Sequence, residues 1–156
     1  MTLLSTTTIS GTTNITNINQ SYKRLVVVGI GIKSSSTSQL RIWPRNSAPT
    51  DLEIASNWFS GSNQASNALA FALYPDNNNA YISTSRTCNF TLTIDDYALT
   101  TEKNYQIYGA YTRSGVTDPL GFHIFGSMYA TTNLNEINFY SDAGLTQGTI
   151  KIYGVN

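Results

Sequence analysis

The sequence predicts an all-β fold, a single antiparallel β-sandwich of jelly-roll type. Three observations carry this. Apolar residues alternate with polar ones at Phe90–Ile94, at Tyr105–Tyr111 and at Ile150–Ile152, the period of a half-buried strand. Glycine, proline, serine and asparagine punctuate the chain between such runs. No segment carries the 3.6-residue apolar period of an amphipathic helix.

Length and composition fit that class. A chain of 156 residues suffices for one domain that folds without a metal or a disulfide. Charged residues make up 12%, about half the usual share of roughly 25%. Ser, Thr and Asn take their place, and these suit strand faces and turns better than helix interiors.

Met1–Asn19 is Thr-, Ser- and Asn-rich, with Leu3, Leu4, Ile9, Ile15 and Ile18 as spaced apolar points. Residues 1–20 read equally as short edge strands broken at Gly11 or as an N-terminal arm that orders on a neighbour, with the sandwich spanning 21–156. Tyr22–Lys33 is the most apolar strand. Its contiguous Leu25, Val26, Val27 and Val28 suit a strand covered on both faces or a central sandwich strand. Gly29 and Gly31 permit a bulge there. The pattern Gly-x-Gly-x-x-Gly does not complete, because residue 34 is Ser and no helix follows, which excludes a dinucleotide loop.

Gln39–Trp43 reads as a strand ended by Pro44, Asn46 and Pro49. Thr50–Gln64 shows no clean period and reads as a long loop in which Trp58 and Phe59 need cover. Ser66–Tyr74 reads as a strand stopped by Pro75, with a short helix as the alternative; Asp76–Asn79 is a turn. Short strands follow at Ala80–Ser85 and Phe90–Ile94. Asn104–Arg113 is expected to place Tyr105, Ile107 and Tyr111 on one face and Tyr108 on the other. Gly121–Ala130 likewise separates Phe122, Ile124 and Met128 from His123, Phe125 and Tyr129. Asn135–Tyr140 and Gly148–Val155 close the set, with Gly144 and Gly148 bracketing the turn between them. Roughly eight to ten short antiparallel strands result.

The composition excludes several function classes. Lys plus Arg is 9 and Asp plus Glu is 9, for a formal net charge of zero. There is no basic footprint for nucleic acid and no polybasic patch for anionic lipid. Cys88 is the only cysteine, which rules out an internal disulfide and a multi-cysteine metal site, and it reads as a small core residue. Met1–Ser10 lacks the basic and apolar regions of a signal peptide, and no run approaches a membrane span, so synthesis in a cytoplasm is expected.

Catalytic constellations are not expected. His123 is the only histidine and sits mid-strand in GFHIFG, with no nucleophile-elbow motif in the chain. Asp95 and Asp96 are adjacent, face opposite ways in a strand, and cannot form a glycosidase pair. Asp76–Asn79 lacks the glycine and terminal glutamate of a calcium loop. Asn14-Ile15-Thr16 and Asn89-Phe90-Thr91 match the glycosylation sequon, as a Thr-rich chain does by chance. No catalytic residue, metal ligand or cofactor is expected. Tyr108, Tyr129, Tyr140 and Tyr153 fall on the phase opposite the core, which suggests a second buried contact with a subunit or partner.

The C-terminal NEINFYSDAGLTQGTIKIYGVN resembles the closing strands of a β-sandwich found in phage virion proteins, which end in a Gly-Thr/Ser-Ile-x-Ile/Leu-Tyr-Gly strand. Gly148, Ile150, Ile152, Tyr153 and Gly154 match that ending. Tyr22 and Leu25 match the early strand, and STTTISGTTNITNI resembles the Thr/Ser/Gly-rich lead-in. The resemblance implies a non-enzymatic virion surface protein, oligomeric and often trimeric. Its expected partner is the major capsid protein or another virion protein, and the motif defines no catalytic or ligand residue. Two roles follow: a capsid decoration or cement protein, or a tail-fibre or adhesin module meeting a host glycan, with ligand-binding residues unknown; glycan binding lost on replacing Trp43 or Trp58 with Ala would mark the adhesin. Fibre proteins usually carry a long shaft first, whereas here the first strong strand comes after about twenty residues, which favours decoration. The spaced isoleucines of Met1–Asn19 are those expected of an arm pairing with a neighbour's sheet edge.

Overall fold

The computed structural model describes residues 1–44, 54–58, 63–66, 71–72, 82–112, 119–128 and 132–156. Among these residues twelve strands run in chain order: β1 (Thr2–Thr8), β2 (Thr13–Ile15), β3 (Arg24–Ser34), β4 (Arg41–Pro44), β5 (Ile54–Trp58), β6 (Asn63–Ser66), β7 (Phe71–Ala72), β8 (Cys88–Asp95), β9 (Lys103–Thr112), β10 (Pro119–Met128), β11 (Ile137–Tyr140) and β12 (Leu145–Val155). No helix occurs among the described residues. They form an eight-stranded sheet, β1-β12-β3-β8-β9-β10-β5-β6, and a four-stranded sheet, β2-β11-β4-β7.

The connectivity is that of a jelly roll. Setting β5, β6, β9 and β10 aside, the chain alternates between sheets at every step except from β4 to β7, which pair within the small sheet. The antiparallel pairs β1/β12, β2/β11, β3/β8 and β4/β7 nest one inside the next, like the rungs of one long hairpin wrapped into two layers. The hairpins β5–β6 and β9–β10 widen the first sheet beyond β8.

Alternation sorts the faces. Leu25, Val27, Leu92, Ile94, Ile107, Ile150 and Ile152 point inward from the large sheet and meet Ile15, Ile42, Ile137 and Phe139 from the small one. Phe90 stacks on Phe139 across the layers, ring centroids 6.4 Å apart. Cys88 is a free, buried thiol, and burial pushes its pKa up to about 12. The four contiguous apolar residues of β3 mark a central strand, but only one of its faces is covered: Val26 and Val28 are half-buried on the outside.

Residues 1–20 carry two strands of these same sheets. β1 is the edge strand on β12, and Ile9, Ile15 and Ile18 are buried in the core.

Three expectations are corrected. The stretch read as a loop at Thr50–Gln64 contains β5, which pairs with β6 and with β10; its sequence Ile-Ala-Ser-Asn-Trp does not alternate apolar with polar residues, and its neighbours supply the main-chain partners. Of Ala80–Ser85, the described residues 82–85 form no strand: Ile82 makes an isolated bridge to Ser38, and Ser83–Arg86 is a turn. Within Ser66–Tyr74, read as a strand, the described residues Ser66, Phe71 and Ala72 are indeed in strands. Gly148 does not end the turn but lies inside β12 at a register shift, with φ 135°, and a Cβ there would sit 3.0 Å from Ile32 Cα. The bulge expected at Gly29–Gly31 is present, with Gly31 at φ 63°. Phe59, Asp76–Asn79 and Tyr129 lie outside the described residues.

One end of the sandwich is tied by two buried polar side chains. Lys103 Nζ donates to the carbonyls of Leu99, Thr101 and Thr132 at 2.8, 2.9 and 3.0 Å, joining the β8–β9 turn to the segment before β11. Burial pushes the pKa of this ammonium down, with the Asp96 charge opposing. Tyr97, also buried, donates its hydroxyl to the Asn19 carbonyl.

Candidate functional site

The outer face of the large sheet is built by the phase opposite the core. In β9 that phase is Asn104, Gln106 and Tyr108; in β10 it is His123, Phe125 and Ser127; in β8 it is Thr91, Thr93 and Asp95. Register aligns them in rows, Thr91–Tyr108–His123 and Thr93–Gln106–Phe125, with Asn104 opposite Ser127. Directly opposed side chains lie within reach of one another. The rows continue across β3 and β12 through Val28 and Lys151 and through Val26 and Tyr153.

This face concentrates exposed apolar surface. Tyr108 is 52% exposed, Leu3 53%, Ile30 45% and Phe125 38%. Its polar border is the Arg24–Asp95 ion pair.

Between β8, β9 and β10 the face dips into an open concavity of about 350 Å³, lined by Asp95, Asn104, Gln106, His123, Phe125 and Ser127. The rings of His123 and Phe125 are tilted at 55°, centroids 5.7 Å apart. Ser127 Oγ donates to Asn104 Oδ1 at 2.9 Å, which fixes that amide and leaves its NH₂ group for another acceptor. The concavity thus combines ring faces, two carboxamides, a hydroxyl and a carboxylate already neutralised by Arg24.

The outer side of the small sheet is different. Trp43 lies opposite Asn138 and Arg41 opposite Tyr140. Arg41 clamps Asp142 with two contacts, 3.0 and 2.8 Å, and sits 5.7 Å over the Tyr140 ring. Trp43 and Tyr140 are tilted neighbours at 6.4 Å. Trp43 Nε1 and Asn138 Oδ1 are buried with no hydrogen-bond partner among the described residues.

The structure separates several residues that the sequence grouped. Tyr108 and Tyr153 share the outer face of the large sheet, but Tyr140 lies on the small sheet, so the tyrosines do not form one surface. The two tryptophans also part: Trp43 is in the small sheet, and Trp58 ends β5 of the large one, in register with Ile124. His123 packs on Phe125 and lies opposite Tyr108. Asp95 pairs with Arg24, while Asp96 turns away at φ 53°. The sequon asparagines are engaged: Asn14 Nδ2 donates to Glu136 Oε1 at 2.5 Å, and Asn89 Oδ1 accepts from the Gly31 amide at 2.7 Å. Among the described residues no group of His, Cys, Asp and Glu could hold a metal ion. Asn104, Gln106 and Ser127 went unmarked in the sequence. Their phase opposite Tyr105 and Ile107 was legible, but the β9–β10 register that gathers them was not.

Comparison with protein-family models, with curated proteins and with solved structures finds no match to this chain.

Proposed function

We propose that the chain is a non-enzymatic structural protein of a bacteriophage virion, a decoration or cement protein on the outer surface of the capsid, made in the host cytoplasm. The observation that supports this most is the place of the segment that resembles virion proteins. Gly148–Gly154 lies within β12, which is hydrogen-bonded by β1 on one side and β3 on the other. It stands among the nested pairs of a jelly roll, an architecture used by viral capsid and lectin domains. The link from fold to role is an analogy.

The exposed Leu3 and Ile30, with Val26, Val28 and Tyr153 beside them, give the β1-β12-β3 part of the outer face an apolar character. There we place the contact with the capsid protein or with neighbouring copies in a homotrimer. His123 held on a phenylalanine ring and Asp95 held by Arg24 fit packing roles better than acid–base work. Immunogold labelling of intact particles with antibody to this protein tests the proposal: label on heads supports decoration, and particles free of label overturn it. Light scattering of the purified chain tests the trimer.

A second reading, a tail-fibre or adhesin module that meets a host glycan, is favoured by one feature, the aromatic and amide concavity on β9 and β10.

A further inference from the structure

We infer that the concavity between β8, β9 and β10 is a binding site for an uncharged saccharide, with Phe125 as its stacking platform and Gln106 and Asn104 as its hydrogen-bonding groups. This assigns residues and a ligand class to the glycan-binding alternative, on which it rests; it does not depend on the capsid reading.

The chemistry of the lining selects the ligand. A pyranose offers an apolar C–H face on one side and pairs of hydroxyls, each both donor and acceptor, around its rim. The C–H face needs an exposed aromatic ring, and Phe125 presents one, held by His123 at 5.7 Å. Paired hydroxyls need planar groups that donate and accept side by side, as carboxamides do. Gln106 lies directly across from Phe125, and Asn104 lies one alternation further along the same strand. The Ser127 hydroxyl fixes Asn104 in place, so less ordering remains to be done when a ligand arrives.

Competing ligand classes fit less well. The lining carries one carboxylate, Asp95, and its cationic neighbour Arg24 is bound to it, so an anionic group finds no free counter-charge. A peptide that binds by strand addition needs a free sheet edge. This site lies over β9, whose main chain is paired on both sides, by β8 and by β10. The volume of about 350 Å³ falls at the small end of the range for ligand sites, roughly 300–1,000 Å³, and suits one or two sugar rings.

The test uses the full chain on an array of neutral and acidic oligosaccharides. Titration of the best neutral binder follows, read by amide NMR shifts. The expected result is binding to neutral glycans with shifts at Asn104, Gln106 and Ser127, weakened at least about tenfold, or about 1.4 kcal/mol, in both Phe125→Ala and Gln106→Ala. Arg41→Ala on the opposite sheet should bind as the parent does. Gln106 is exposed, so its variant remains informative if Phe125→Ala folds poorly. No neutral binder at about 1 mM, binding restricted to acidic glycans, or binding kept in both variants would each overturn the site. A silent array with the protein present on heads removes the site and leaves the capsid role standing. A hit lost in Phe125→Ala, with no protein on particles, does the reverse.

Discussion

The ring of Tyr22 fills the space in which Gly154 would carry a side chain. A Cβ at position 154 would lie 2.3 Å from Tyr22 Cγ and Cδ2. The glycine that closes GTIKIYG is therefore the floor on which the residue ahead of β3 packs, and the two ends of the apparent motif meet in one contact.

Gly154→Ala should destabilise the fold by about 1–3 kcal/mol through overpacking. In a Tyr22→Ala background the clash is gone, and the same change should be neutral or slightly stabilising, because alanine has less chain entropy to lose. Urea denaturation of the four proteins in a double-mutant cycle checks this. Equal costs of Gly154→Ala in both backgrounds would show that the ring is not the cause.

Lys103→Met should cost about 3 kcal/mol or more. The substitution keeps the apolar stem but leaves the carbonyls of Leu99, Thr101 and Thr132 without their shared donor. The measurement is the shift of the urea midpoint at constant m-value. A change under about 0.5 kcal/mol, the range of an ordinary surface substitution, would mean that solvent already serves those carbonyls.

Cys88 should resist alkylation in the native state and react once the chain is unfolded in urea. Burial pushes its pKa in the folded chain up to about 12, from an ordinary value of about 9.0 in the unfolded one. Between these two values the unfolded chain has lost the thiol proton and the folded chain retains it. The Cys88 contribution to stability is thus fully present below about pH 9 and is lost as pH rises toward 12, with a slope of at most about 1.4 kcal/mol per pH unit. The parent's stability should fall more steeply than that of Cys88→Ala across this window. Parallel curves would contradict the assignment.

Deleting Met1–Asn19 should abolish the cooperative fold. The segment carries β1, β2 and the buried Ile9, Ile15 and Ile18. Each such isoleucine contributes about 1.5–3 kcal/mol of burial, together comparable with the whole stability of a typical domain. The deleted chain should lose its sigmoidal urea transition. A truncated protein that still unfolds cooperatively would return these residues to the role of a dispensable arm.

The sequence by itself determined the class of structure and the sorting of faces. Phe90, Leu92 and Ile94 went to the core, and Tyr108 and Phe125 to the outside, because a strand's side-chain period is two and burial follows it directly. It also placed the bulge at Gly29–Gly31 and the burial of Cys88, both local consequences of residue type. Only the tertiary structure decided which strands became neighbours. Pairing β1 with β12 joins opposite ends of the chain, and nothing in either strand names the other. The same limit hid the concavity. Gln106 and Phe125 are nineteen positions apart, and they face one another only through the β9–β10 register. It also hid β5, whose residues do not alternate apolar with polar, and the role of Gly154, which is set by a ring on a different segment. Local chemistry writes faces into a sequence; long-range main-chain pairing, which any two strands can make, decides what those faces meet.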